Sequence, residues 1–383
     1  MNAVSNRFEE LFNKKPLLVS SPGRVNLIGE HTDYNEGYVL PGAVDKKMYV
    51  AIAPNQTNTI KAFANEYNKS FYFPLDDIKA EKSEGWTAYL LGVVFYLQEM
   101  GCAVEGVDVL IDGDVPVGAG MSSSAALCCA FGFALNELFG FGLDRMQLAY
   151  IGQKTEHSFA GVKVGIMDQF ASLHGKKGHL MKLDCRSMEF EYIPFNFPDH
   201  KIVMVNSMVK HSLADTEYNV RRQQCEEGVG IIKQHSTKDI KSLRDTTLQD
   251  LELNRDKLSE LVYKRCLYVI SENGRVLEGC TLLEQGDLKG FGKLMYKTHE
   301  GLSKLYEVSC EELDFLAEQA HDFEGVTGTR MMGGGFGGCT INLVTNDAVE
   351  DFSTFIKDKY DQRFNKSTEI YITQIEDGTK VVV

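Results

Sequence analysis

The chain has 383 residues, 43% hydrophobic and 25% charged, which is ordinary globular usage and enough for a large core in roughly two or three domains. A net charge of −14 repels nucleic-acid phosphates and anionic membranes, so neither is expected as a general partner. Any anionic substrate must be received by local positive potential from a few Lys or Arg, backbone N–H groups or a bound cation.

In chain order, the first 15 residues are polar and mixed in charge, without the apolar stretch of a signal peptide. Residues 16–20 predict a short apolar strand. Residues 48–54 and 59–64 read as a hairpin around Asn55 to Asn58. Residues 106–113 alternate apolar and polar, as a half-buried strand does. An apolar helix is expected over 122–139, stopped by Gly140. A second follows over 144–160, with Asp144 and Gln147 spaced as a capping box. A strand over 201–207, a long charged helix over 215–235, a helix over 311–323 and strands over 339–344 and 369–374 come later. There is no repeat, low-complexity tract or linker, and prolines number eight. The chain reads as one compact body of joined lobes, 1–195 and 196–383, with the break where Pro194 and Pro198 interrupt the pattern. Nine cysteines without a CxxC pair read as buried thiols in a reducing compartment rather than zinc ligands. No apolar run approaches the roughly 18 residues of a membrane span, so a cytoplasmic location is expected.

Three glycine-rich segments carry the chemistry. Pro116-Val-Gly-Ala-Gly-Met-Ser-Ser-Ser-Ala125 follows a strand and opens a helix. Gly118 and Gly120 allow close backbone approach, and a helix N-terminus offers unpaired N–H groups at a positive dipole end. That is a phosphate cradle, with Ser122, Ser123 and Ser124 supplying hydroxyls for phosphate or Mg²⁺. It lacks the Walker lysine, and an ordinary capped helix after a tight turn is the plain alternative. Residues 332–338 contain Gly333-x-Gly335-x-x-Gly338, but lie between a helix and a strand, the reverse of the dinucleotide-binding order. Ser21-Pro-Gly-Arg-Val-Asn-Leu-Ile-Gly-Glu-His-Thr-Asp-Tyr-Asn-Glu-Gly37 packs Arg24, Glu30, His31 and Asp33 into ten residues, suited to multidentate hydrogen bonding of a polyol. A solvated charged turn, or a metal site on His31 and Asp33, are the competing readings.

Together and in this order the segments resemble the GHMP kinase superfamily, and the segment from Gly23 to Gly37 is similar to the signature of its galactokinase family. Trp86-Thr-Ala-Tyr89, Glu156-His-Ser-Phe-Ala-Gly161, Gly165-Ile-Met-Asp-Gln169, Tyr218-Asn-Val-Arg-Arg222 and Arg330-Met-Met-Gly333 agree. Met121 and Met332 stand in place of the commoner Leu and Thr. The resemblance implies an α+β, two-lobed GHMP kinase fold, with mixed sheets flanked by helices and the active site between lobes. It implies transfer of the ATP γ-phosphoryl group to the C1 hydroxyl of α-D-galactose.

By the same resemblance, Asp168 and Arg24 would be catalytic. Asp168 opens a short helix, and that dipole end and Arg24 both favour its charged form. Whether it takes the proton or only orients the hydroxyl stays open. Glu30 and His31 would hold the C6 hydroxyl and Asp33 the C3 and C4 hydroxyls, with Gly165 beside them and Tyr218 closing the pocket. ATP would lie on Gly118, Gly120 and Ser122 to Ser124, its adenine against Trp86 and Tyr89. Ser124 and Glu156 would hold Mg²⁺. A kinase for N-acetylgalactosamine or arabinose, or a non-catalytic galactose sensor, are the alternatives.

Overall fold

The computed structural model describes residues 2–83, 85–209 and 214–382. The first part of the chain runs α1 (Asn2–Phe12), β1 (Leu17–Asn26), β2 (Tyr38–Val39), β3 (Pro41–Pro54), β4 (Thr59–Ala64), β5 (Lys69–Pro74), α2 (Thr87–Glu99), β6 (Val107–Gly113), α3 (Ser123–Phe139), α4 (Arg145–Thr155), α5 (Met167–His174), β7 (His179–Asp184) and β8 (Phe190–Pro194). The rest comprises β9 (His200–Asn206), α6 (Ala214–Gln234), α7 (Leu248–Leu253), α8 (Glu260–Glu284), α9 (Leu288–Glu300), α10 (Glu311–His321), β10 (Val326–Met331), β11 (Cys339–Thr345), α11 (Val349–Phe364), β12 (Glu369–Thr373) and β13 (Lys380–Val381).

The described strands form three sheets, ordered β13-β1-β3-β6-β4-β5, β10-β11-β9-β12 and β2-β7-β8. The first is mixed, because β4 runs parallel to β6, and the others are antiparallel. This is the expected α+β architecture. Among the described residues, no helix is long and apolar enough to cross a membrane.

Local sequence explains most elements. α3 is apolar all round, so it is buried among α2, α4, α5 and the first sheet. It ends where Gly140 adopts left-handed backbone at φ 66°. Asp144 caps α4 through the Gln147 N–H, and the Gln147 side chain accepts from the Asp144 N–H.

Three expectations are corrected. Residues 48–54 and 59–64 are strands, but they do not pair with each other, because β6 lies between β3 and β4. β6 is not half-buried: Val107 to Ile111 are buried on both faces, and such a strand belongs at the middle of a sheet. The supposed hairpin turn instead wraps Gly106, whose carbonyl accepts from Asn55 N–H at 2.9 Å and whose N–H donates to Thr57 at 3.1 Å. The predicted helix over 144–160 leaves α-geometry at Glu156, where residues 156–160 form a π-helical turn.

The core crosses from one half of the chain to the other. Val25, Leu27 and Ile28 pack in one buried cluster with Met204, Val276, Phe291, Met332 and Ile341. β13 returns to pair with β1, where Ser21 and Thr379 hydroxyls lie 2.8 Å apart.

Candidate functional site

β1 carries Arg24 into the site through an irregularity. Its register against β3 shifts between Pro22 and Arg24, which turns the strand toward the serine loop. The Arg24 N–H donates to Met121 O at 3.1 Å. The Arg24 guanidinium grips Asp168 with two parallel bonds of 2.7 Å, Nε to Oδ1 and Nη2 to Oδ2. Its Nη1 donates to the Gly120 carbonyl, and the Ser122 hydroxyl donates to Asp168 Oδ2. Ser122 itself sits in left-handed backbone at φ 54°, an uncommon state for a side-chain-bearing residue at the head of a helix. Burial works against the Arg24 charge, but Asp168 and Glu30 outweigh it and hold the guanidinium above its ordinary pKa.

The following loop is held from the other half of the chain. Tyr268, Glu272 and Asn273 of α8 bond the Glu30 carbonyl, the Gly29 N–H and the Tyr38 N–H at 3.0, 2.7 and 2.9 Å. Arg330, wholly buried on β10, donates to the carbonyls of Asn26 and Leu27 and to Glu30 Oε1. Glu30 also accepts from Gly333 N–H and from the Asn26 amide. Burial pushes its pKa up, but the charges of Arg330 and Arg24 with these bonds bring the net value below the carboxylate range.

Asp33 is in a different position. It accepts from the Tyr34 N–H at 2.9 Å and has no salt bridge among the described residues. Burial, then the Asp168 charge, pushes its pKa to about 7. Gly165 lies so close that a Cβ there would stand 1.7 Å from an Asp33 carboxylate oxygen. His31 and Tyr218 rings lie 5.3 Å apart, and burial keeps His31 neutral with its pKa lowered to about 4.

These groups line one cleft of about 340 Å³, together with Gly118, Gly120, Ser122 to Ser124 and Gly333 to Gly335. Trp86 and Tyr89 line a neighbouring cleft of about 260 Å³ that shares Ser123 and Ser124 with the first. Trp86 is held edge-on by Phe71 at 5.1 Å. The predicted residues thus converge on two clefts joined at the head of α3. Glu156 lies just behind that junction, 3.3 Å from the Ser124 hydroxyl and 2.9 Å from the Gln169 amide, aimed there by the π-helical turn. Burial, then the Asp168 charge, raises its pKa to about 7.

The sequence reading missed Gln169, Arg330 and the three α8 residues as supports of the site. Gln169 and Arg330 stand inside the matching blocks Gly165 to Gln169 and Arg330 to Gly333, which was a usable signal. Tyr268, Glu272 and Asn273 follow only the spacing of an ordinary helix face.

Three family signatures match the chain. The galactokinase galactose-binding signature matches residues 6–54, the GHMP kinases N terminal domain 88–176 and the GHMP kinases C terminal domain 281–362. A galactokinase of Thermotoga maritima is 39% identical over 371 residues, 95% of this chain and 99% of the relative. One of Ligilactobacillus salivarius is 38% identical over 388 residues, covering 99% of each. The crystal structure of Lactococcus lactis galactokinase complexed with galactose superposes with a TM-score of 0.95 at 34% identity, over 100% of this chain and 99% of that one. The Methanococcus jannaschii mevalonate kinase, at 19% identity and a TM-score of 0.67 over 95% and 99% of the two chains, shares the fold. With the galactose-binding signature matched and full-length relatives at this identity, the chain belongs to the galactokinase family of the GHMP kinases.

Proposed function

We propose that this enzyme transfers the γ-phosphoryl group of ATP to the C1 hydroxyl of α-D-galactose, giving galactose 1-phosphate and ADP, with lobes 1–195 and 196–383 meeting at the cleft. The observation that carries this is the Arg24–Asp168 pair, set between the serine loop and the cluster of Glu30, His31 and Asp33. Phosphoryl transfer asks chiefly for alignment and charge neutralisation, and the pair supplies both. Asp168 Oδ2 already accepts two bonds, whereas Oδ1 accepts one, so Oδ1 receives the sugar C1 hydroxyl and its proton as the new P–O bond forms. Arg24 has five N–H groups, of which three are engaged within the protein. The remaining two face the transferring phosphoryl oxygens. The serine loop and the N-terminus of α3 receive the ATP phosphates, and Trp86 with Tyr89 the adenine.

Mg²⁺ suits the donors present. Ser124 and Glu156 offer adjacent hard oxygens, and Mg²⁺ keeps several waters and phosphate ligands, so it needs no larger protein cage. Bound there it would neutralise phosphate charge. Among the described residues no group of three or more His, Cys, Asp or Glu forms a denser site. Glu156→Gln is expected to raise the Mg²⁺ concentration needed for half-maximal rate by about tenfold or more, the size of a supporting-ligand loss. Calorimetric galactose binding without nucleotide should stay within about twofold. An unchanged Mg²⁺ titration would remove Glu156 from the metal site.

The substrate is tested by kcat/KM for galactose, glucose, N-acetylgalactosamine and arabinose. Inverting C4, as in glucose, leaves buried groups around Asp33 unpaired, at about 1–3 kcal/mol each. Galactose should therefore lead by at least about tenfold. Equal turnover of any of the other three would refute the galactose reading.

A further inference from the structure

His31 is 4% exposed and is one of the residues that line the cleft. Tyr34, Tyr218 and Tyr306 surround it, with ring centroids 5.8, 5.3 and 4.9 Å away. Nδ1 lies 2.7 Å from the Tyr34 hydroxyl, which lies 2.8 Å from the Tyr306 hydroxyl, which lies 3.2 Å from Cys225 Sγ. Tyr306 and Cys225 are buried, at 0% and 1% exposure. Tyr306 reaches the chain of groups because residues 301–305 form a second π-helical turn, which Tyr306 closes. The other ring nitrogen, Nε2, is buried and has no hydrogen-bond partner among the described residues.

A neutral imidazole has a single N–H, and the neighbours of its two nitrogens decide which one bears it. The line of hydroxyls can run in two directions. In one, the Cys225 thiol donates to Tyr306, Tyr306 to Tyr34 and Tyr34 to Nδ1. In the other, every bond reverses and the Tyr306 hydroxyl donates to the sulfur. An imidazole nitrogen is a far better acceptor than a thiol sulfur, which favours the first.

We propose that the line Cys225–Tyr306–Tyr34 fixes His31 with its proton on Nε2, leaving a donor without a protein partner on a residue that lines the sugar cleft, and that Tyr34 and Tyr306 are positioning residues for recognition of the hydroxymethyl group of the sugar. The second clause rests on the galactose reading of the cleft. Neither tyrosine touches the reacting atoms. Their effect on selectivity passes through the imidazole.

The test uses the full chain labelled with ¹⁵N-histidine, with the His31 signals assigned by their loss in His31→Asn. Long-range ¹H–¹⁵N spectra distinguish the two tautomers without any sugar present. The wild type is expected to show Nε2–H alone. Tyr306→Phe frees the Tyr34 oxygen to accept from Nδ1–H, so a second His31 population with Nδ1–H should appear. Tyr34→Phe should show the same, and serves if Tyr306→Phe does not fold. In both variants the preference for galactose over its 6-deoxy analogue should fall by about tenfold, the loss of roughly one hydrogen bond, with the KM for ATP unchanged. A wild-type Nδ1–H tautomer, or Nε2–H alone in both variants, would overturn the proposal. Should galactose not be the substrate, the kinetic arm fails while the spectra still decide the tautomer.

Discussion

Replacing Asp168 by Asn is expected to lower kcat by at least about 10²-fold, the lower end for a group that moves a proton in the transition state. The substitution keeps the shape of the side chain. It removes the negative partner of Arg24 and turns one carboxylate oxygen, each now bonded at 2.7 Å or held by Ser122, into an N–H₂ donor facing a donor. Both losses bear on the reacting hydroxyl and only weakly on the rest of the sugar. Galactose affinity measured by calorimetry should therefore change far less than kcat. Arg24→Lys should also be damaging, because an ammonium cannot bridge both Asp168 oxygens and the Gly120 carbonyl at once. Since the two residues act as a unit, the double variant should be little worse than Asp168→Asn alone. Near-normal kcat in a folded Asp168→Asn variant would remove the catalytic role.

The second large effect concerns Asp33, where stability and binding oppose each other. Its pKa of about 7 stands above the ordinary value of 3.8, chiefly through burial and then through Asp168. Between those two values the unfolded chain has lost this proton and the folded chain keeps it. The unfolded state then binds fewer protons, so the contribution of Asp33 to stability falls as pH rises through the window. Above it the folded protein carries the full penalty, at most about 4 kcal/mol. Asp33→Asn should thus melt with the wild type near pH 4 and several degrees above it at pH 8. The same variant should bind galactose at least about tenfold more weakly at pH 8, because an amide oxygen replaces an ionised acceptor. Gly165→Ala should reproduce the binding loss by a different route, since its Cβ would occupy the place of the Asp33 carboxylate. Wild-type and Asp33→Asn melting temperatures that stay parallel from pH 4 to 8 would show that Asp33 is not held under this penalty.

What the sequence made legible was local. The glycine-and-serine loop, the capping box at Asp144 and the stop at Gly140 each depend on residues a few positions apart, and each stands where it was read. The insertion of β6 between β3 and β4 was not legible, because it joins residue 62 to residue 109 and the alternation of 106–113 hid a strand buried on both faces. The turns of the chain at Glu156 and Tyr306 were hidden for a related reason. A π-helical turn adds one residue to a helix without changing its composition, so no periodicity marks it. Arg330 looks like one arginine among forty basic residues until the fold wraps Asn26, Leu27 and Glu30 around it.

The pairing of β1 with β13 has a consequence during synthesis. The ribosome makes β1, which carries Arg24, first among the described strands, and makes β13 last. At ordinary elongation rates the outer edge of β1 waits on the order of tens of seconds for its neighbour. Until then it is an open row of N–H and C=O groups, the state in which a nascent chain pairs with the wrong partner. The strand that carries Arg24 is therefore among the last to be closed, and every pause between the synthesis of β1 and that of β13 lengthens the exposure by its own duration.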